Sequence, residues 1–242
     1  MVIKVLGIES SCDETAAAVC EAEGSERKIL SNAVASSMDF HARFGGVIPE
    51  IASRAHLEAF APVVRNALSS SSLSLLDIDA IAVSAGPGLA GCLAVGTSGA
   101  KGLALGSGKP FFALNHVIAH LAASEAEFGK IPDNCAGLVV SGGHTTLFRL
   151  EKFPSRIFVA GSTLDDAAGE CFDKIGRLMG LPYPAGAAID SLAKKGDPFA
   201  IKVPQGLRGR KDRLFDFSFS GVKTSGNRQQ AIGNRRPIRR AA

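Results

Sequence analysis

The chain has 242 residues, enough for one large domain or two smaller ones, and 46% of them are hydrophobic, so a disordered or fibrous chain is excluded. Its formal charge is +4, but residues 225–242 hold five arginines and no acid, which leaves the body close to neutral. No apolar run approaches the ~20 residues of a membrane span, and five scattered cysteines without a C-x-x-C pair argue against a disulfide framework and a thiolate zinc site.

Met1 leads directly into VIKVLGIE, without the basic, apolar and small-residue segments of a secretory signal, so a cytoplasmic protein with reduced thiols is expected. VIKVLGIE, TAAAVCEA and KILSNAVASS read as three neighbouring strands separated by short polar turns. PEIASRAHLEAFAPVVRNAL then repeats apolar positions at Leu57, Phe60, Ala61 and Val64 with helical spacing, and a kink is expected at Pro62. DAIAVSAGPGLAGCLAVGTSGAKGLAL reads as strand, glycine turn and helix, and PFFALNH as a strand entering a further helix. The alternation is α/β. LVVSGGHTTLFRL at 138–150 echoes GIESSCDETAAAV at 7–19 as strand, small-residue turn and strand, and it too is followed by a strand candidate, RIFVAG, and a helix. Such a duplication fits two similar lobes.

Gly86 to Gly91 match G-x-G-x-x-G in the right context, but no acid stands roughly 20 residues on to hold a ribose, so the glycines read as a tight turn with close backbone approach and dinucleotide binding is weak. GSGKP lacks both the leading glycine and the hydroxyl of a P-loop, which excludes that motif. The turn Ser141 to His144 could aim successive amides at an anion, or be an ordinary hairpin turn; its counterpart SCDET adds Asp13 and Glu14. TLDDAAGECFDK reads as a helix with Thr163 as N-cap and Asp165 and Asp166 in its first turn, whereas Asp173 lies too far in for the helix dipole to explain it. LPYPAGAAID reads as a loop with Asp190 at its far end. His116 and His120, four apart, share one side of a helix whose apolar face is Val117, Ile118, Leu121 and Phe128; the spacing suits a metal pair, although surface or capping histidines are the commoner explanation of such spacing. Val117 stands where a zincin protease needs its Glu, so that mechanism is excluded.

Taken in order, GIESSCDET, HARFGGVIPEIASRAH, SAGPGLAG, NHVIAH, LVVSGGHTTL, TLDDAAGECFDKIGRLMGLPYPAG and DFSFSGVKT resemble the TsaD/Gcp family from residue 3 to about residue 224. These are the tRNA threonylcarbamoyladenosine transferases, formerly labelled O-sialoglycoprotein endopeptidases or glycoproteases. The resemblance implies the two-lobed actin-like ATPase (ASKHA) fold, with residues 1–115 as the first lobe, 116–224 as a partial second lobe, and 225–242 as a disordered tail. It implies transfer of a threonylcarbamoyl group from threonylcarbamoyl-AMP to the adenosine 3′ of the anticodon in tRNA, with a paralogous TsaB-like subunit and an ATPase subunit as partners and no membrane. By position it makes His116 and His120 ligands of one divalent metal, iron or zinc. It also makes Val139, Val140, Ser141, Gly142, Gly143, Asp173, Gly186 and Asp190 the adenylate-binding residues. It marks no catalytic nucleophile.

The sequence departs from the pattern in three places. The acid between the family's paired histidines is missing from His116-Val117-Ile118-Ala119-His120, and the family's P-G-G is Pro184-Ala185-Gly186. Beyond Thr224 the match stops, so the second lobe is expected to be incomplete, to lack the third metal ligand, an Asp, and to leave apolar surface exposed. The switch to Arg, Gln, Gly and Pro there resembles a shifted reading frame. A non-catalytic relative serving as a binding module is the alternative reading.

Overall fold

A computed structural model describes residues 1–24, 26–197, 199–200 and 202–225. The chain divides into two compact units, Met1–Ile131 and Pro132–Ala242. The division lies later than the 115/116 boundary drawn from sequence, because the helix carrying the histidine pair packs on strands of the first unit. The tail expected over 225–242 lies, beyond Ser225, outside the described residues.

In the first unit, β1 (Val2–Glu9), β2 (Glu14–Glu23) and β3 (Glu26–Ser36) form the antiparallel meander expected from their alternating patterns. β4 (Ala80–Gly86) lies parallel to β1, and β5 (Phe111–Asn115) parallel to β4, giving the order β3-β2-β1-β4-β5. Parallel neighbours need covered crossovers. Helices supply them: α2 (Pro49–Ser70) lies against β2 and β3, and α3 (Ala90–Ser107) against β4 and β5. A short α1 (Met38–Ala42) precedes α2, and α2 runs continuously past Pro62.

The core lies between the sheet and these two helices, where Leu6, Val19, Ile81 and Val83 meet Val64 and Ala100, all buried. Strand β4 is buried along its first five residues, which fits its place between β1 and β5. The small residues of α3 let its neighbours approach. A Cβ at Gly99 would fall 2.3 Å from the Phe60 ring of α2, and one at Gly91 3.2 Å from the Ser53 Cβ. Gly96 faces the turn after β1 instead, where a Cβ would fall 2.0 Å from the Oγ of fully buried Ser10.

The second unit repeats the opening meander. β6 (Cys135–Val140), β7 (Thr145–Lys152) and β8 (Arg156–Ser162) pair antiparallel in the order β6-β7-β8. The β6–β7 turn is the same length as the β1–β2 turn, four residues in each case, so the echo heard in the sequence is a repeated supersecondary unit. Among the described residues this sheet has three strands against five in the first unit, and Leu138, Val140, Phe158 and Val159 are exposed. The mixed five-stranded sheet, the antiparallel three-stranded sheet and their helices are the α/β class expected, with the strand-turn-strand unit repeated.

Two readings of the DDAAGE segment are corrected. Helix α5 spans Ala168–Leu178, so Thr163 is not its N-cap and the two aspartates are not in its first turn. The reason is a competing partner: Thr163 bridges to Phe217, Leu164 N–H donates to the Phe217 carbonyl and Phe217 N–H to that of Ser162. Asp165 then accepts from the Ser218 hydroxyl (2.6 Å) and from the N–H groups of Phe219 (2.7 Å) and Ser220 (3.2 Å). It thereby caps the helical turn over 220–225 from another part of the chain. Asp166 pairs with Lys174 (2.6 Å) and Lys223 (2.7 Å). Likewise, the LPYPAGAAID loop closes into α6 (Gly186–Ala193), which places Asp190 within a helix.

Burial alone would raise the Asp165 pKa, but the Ser218, Phe219 and Ser220 donors outweigh it and hold the group at about 2 against an ordinary 3.8. A lowered folded-state value stabilises the fold above the ordinary value and is lost as pH falls through it. Asp165→Asn should therefore flatten the loss of stability between about pH 4 and pH 2, followed by urea unfolding at each pH. At neutral pH, Asp165→Ala should cost about 0.5–2 kcal/mol, the scale of a lost helix cap. For Gly96→Ala, helix propensity favours alanine by about 1 kcal/mol, yet insertion against a fixed buried neighbour costs about 1–3 kcal/mol. Since Ser10 is fully buried and its Oγ donates to the Cys92 carbonyl at 3.0 Å, net destabilisation is expected in thermal unfolding.

Candidate functional site: a histidine pair and a glycine turn

The first unit gathers its chemistry where β1 ends. Main-chain packing fixes the Ser10–Ser11 turn: Leu89 N–H donates to the Ser11 carbonyl at 2.8 Å, and a Cβ at Gly88 would lie 2.6 Å from that same oxygen. The glycines of the G-x-G-x-x-G segment thus serve a close backbone approach, as the sequence suggested. A buried His56 braces the far side of the turn, its Nδ1 2.7 Å from Thr15 Oγ1 and its Nε2 3.1 Å from the Cys12 carbonyl.

Helix α4 spans His116–Phe128 and begins abruptly because Asn115 caps it, accepting from Val117 N–H (2.9 Å) and Ile118 N–H (3.1 Å). Val117 and Leu121 are buried, whereas Phe128, read from sequence as part of the apolar face, is exposed. The cap sets His116 as the first helical residue, and a turn later His120 follows on the same side. Their Nε2 atoms are 3.1 Å apart, with ring centroids at 4.5 Å and planes inclined by 73°. The other ring nitrogen of His116, Nδ1, lies 3.1 Å from Glu9 Oε2 and 3.0 Å from Ser11 Oγ, while Glu9 Oε1 accepts from Ser11 N–H at 2.5 Å.

Electrostatics follow from that arrangement. Burial would raise the Glu9 pKa, but hydrogen bonds from His116, Ser11 and Ser84 outweigh it and bring the carboxyl down to about 2. Burial and the neighbouring His116 lower the His120 pKa, and the Glu9 charge opposes them only in part. Burial, then Asp13, pushes the Cys12 thiol up to about 12, which removes it as a thiolate nucleophile.

The pair fits a metal. Two imidazole nitrogens at ~2.0–2.1 Å from one ion stand roughly 2.8–3.0 Å apart at an octahedral angle and roughly 3.3–3.4 Å apart at a tetrahedral one, and 3.1 Å lies between the two. Among the described residues no third His, Cys, Asp or Glu completes a ligand cluster. Sequence reasoning found the pair but missed Glu9 and Ser11. The signal was available, since an acid ending a strand directly before a small-residue turn is poorly explained by strand propensity.

In the second unit, the β6–β7 turn is closed by Ser141 N–H donating to the His144 carbonyl (2.8 Å) and His144 N–H donating to Ser141 Oγ (3.0 Å). Gly142 and Gly143 stand at its exposed tip, with open space where a Cβ would be. The N-terminus of α5 seats the turn: Gly169 N–H donates to the Ser141 carbonyl (3.2 Å), Ala168 N–H to buried Thr145 Oγ1 (2.9 Å), and a Cβ at Gly169 would clash with Ser141 and Gly142. Val139 is buried beneath and Val140 exposed. Asp173 Oδ1 accepts from Ala185 N–H at 2.7 Å, tying α5 to the residue before Gly186 at the head of α6. Gly176 permits that approach, because a Cβ there would lie 2.1 Å from the Ala185 Cβ. Asp190 sits one turn into α6, exposed and 2.9 Å from Lys194 Nζ. Asp173, Ala185 and Gly186 therefore form one cluster beyond the Ser141–Gly143 turn, with α5 joining them.

A family model described as tRNA N6-adenosine threonylcarbamoyltransferase matches residues 28–234, past Thr224, where the sequence reading places the end of the match. A curated protein of that name from Bifidobacterium adolescentis is 59% identical over 241 residues, covering 97% of this chain and 68% of its own length. Its namesake from Bifidobacterium longum is 58% identical with the same coverage. Solved structures give weaker likenesses: YeaZ from Pseudomonas aeruginosa has a TM-score of 0.43 at 20% identity, covering 66% of this chain and 65% of that one. The Aquifex aeolicus PPX-GPPA enzyme has a TM-score of 0.38 at 10% identity, covering 66% of this chain and 52% of that one. By the extent and identity of the sequence matches, the chain belongs to the TsaD family, the transferases that act in threonylcarbamoyladenosine biosynthesis on tRNA.

Proposed function

We propose that this chain transfers the threonylcarbamoyl group of threonylcarbamoyl-AMP to N6 of the adenosine 3′ of the tRNA anticodon, and that His116 and His120 hold one divalent metal, iron or zinc, for that reaction. The observation that carries the metal reading is the 3.1 Å approach of the two Nε2 atoms. A bound metal supplies Lewis acidity, which polarises a carbonyl toward attack by a weak amine.

The chain's own residues do the positioning. The Asn115 cap and the Ser11 turn fix the imidazoles, so little reorganisation accompanies binding. On the second unit, the amides of Ser141 to Gly143 at the β6–β7 turn suit an adenylate phosphate, since short side chains leave the backbone approachable. Asp173, Gly186 and Asp190, with Val139 and Val140 beside the turn, complete the proposed adenylate-binding set. Acyl transfer with AMP as leaving group needs no covalent intermediate, and the protonated Cys12 thiol accords with that.

The tRNA is recognised by shape and by an unstacked loop base, which suits a nearly neutral protein body. A paralogous TsaB-like subunit and an ATPase subunit are proposed as partners on the strength of the family resemblance. No helix among the described residues is long and apolar enough to cross a membrane.

The test is nucleoside mass spectrometry of an ANN-decoding tRNA incubated with the purified chain, zinc or iron(II), and threonylcarbamoyl-AMP, with and without the two partner subunits. Threonylcarbamoyladenosine should form at the adenosine 3′ of the anticodon and disappear when that base is changed to G. His116→Ala with His120→Ala should lower the rate about 100-fold or more, on the scale of the several kcal/mol a Lewis acid contributes. Absence of product under all these conditions would contradict the proposal.

A further inference from the structure

The surroundings of His116 Nδ1 call for a proton on that atom. Glu9 reaches it from the end of β1, with Oε2 at 3.1 Å, while Ser11 Oγ stands at 3.0 Å. A carboxylate can only accept a hydrogen bond, whereas a serine hydroxyl can accept or donate. A bare Nδ1 would therefore face Glu9 acceptor to acceptor at hydrogen-bond distance, and a protonated Nδ1 satisfies both neighbours. In a neutral imidazole, a proton on Nδ1 leaves the lone pair on Nε2, the atom that faces His120 Nε2 at 3.1 Å. Glu9 itself is held, because its other oxygen accepts from Ser11 N–H at 2.5 Å and the Ser11 carbonyl is pinned by Leu89 N–H.

We infer that Glu9 is a positioning residue for His116: by accepting its Nδ1–H it selects the tautomer whose Nε2 lone pair is presented beside His120. The inference deepens the metal reading above and rests on it for its purpose, though the tautomer itself does not depend on a metal. One direction runs through the set, from His120 Nε2–H to His116 Nε2, from His116 Nδ1–H to Glu9, and from Ser11 N–H to Glu9. A metal taking the pair requires a proton to move only at His120, since His116 already offers its lone pair. Glutamine at position 9 cannot reproduce this. One amide oxygen can accept from His116 or from Ser11 N–H, and the amide nitrogen then meets a donor at the other position.

Two measurements on the full chain separate this from a merely structural ion pair. In the metal-free protein with 15N-labelled histidine, long-range proton–nitrogen correlation spectra, with His116 assigned by its loss in His116→Ala, should show the Nδ1–H tautomer. An Nε2–H tautomer, or an averaged mixture, would overturn the inference. Zinc competition against a chromophoric chelator should show Glu9→Gln binding about 10–100-fold more weakly than the unsubstituted chain, the usual scale for a lost ligand-orienting partner. Equal affinity with thermal unfolding unchanged would also overturn it. If the unsubstituted chain binds no zinc or iron(II), the ligand reading of the pair fails separately, and the tautomer still decides Glu9. If Glu9→Gln does not fold, the spectrum of the unsubstituted chain decides alone.

Discussion

The main chain at Ser11 and the main chain at Gly88 come so close that no side chain fits between them, and the first unit's site depends on that approach. Leu89 N–H holds the Ser11 carbonyl, Gly96 leaves room for the Ser10 hydroxyl, and Ser10 in turn is anchored on the Cys92 carbonyl of α3. The turn after β1 is consequently fixed by backbone and small residues rather than by flexible side chains. Glu9 and Ser11 inherit that rigidity, and through them so does the ring of His116. A loose turn would leave the imidazole free to rotate and its tautomer unspecified.

The same logic of one segment bracing another recurs in the second unit. There the β6–β7 turn is seated on the N-terminus of α5, Asp173 ties α5 to the head of α6, and Asp165 with Asp166 secures the segment around residues 216–225. Each signature acid is thus committed to a backbone or lysine partner across the chain. For Asp165 this is capping at a distance, worth about as much as an ordinary helix cap. The duplicated meander supplies both units with a short turn at the same place, carrying Glu9 and Ser11 at one and two exposed glycines at the other.

Much of this was legible in the sequence where a local rule decides the outcome. The three opening strands, the α2 helix, the glycine turn after β4 and the α4 histidine pair follow from alternation, helical spacing and the absent ribose acid, although Leu57 and Ala61, read as part of the apolar face of α2, are exposed. What escaped was non-local. Thr163 to Asp166 look like a helix start by every capping rule, and only the pairing with Phe217, more than fifty residues away, diverts them. The α6 helix was hidden by Pro182 and Pro184, which read as loop although they end before Gly186. Glu9 was overlooked because its partner lies 107 residues on, at the start of another helix, and no spacing rule connects a strand end with a helix cap.

A chelating role for the imidazole pair underlies the proposed chemistry, and X-ray absorption at the metal edge of the zinc- or iron-loaded chain tests that role most directly. It predicts two histidine nitrogens at ~2.0–2.1 Å from the metal with imidazole multiple-scattering features, both lost together in the chain carrying His116→Ala and His120→Ala. A spectrum fitted by oxygen donors alone, unchanged by those substitutions, would contradict it.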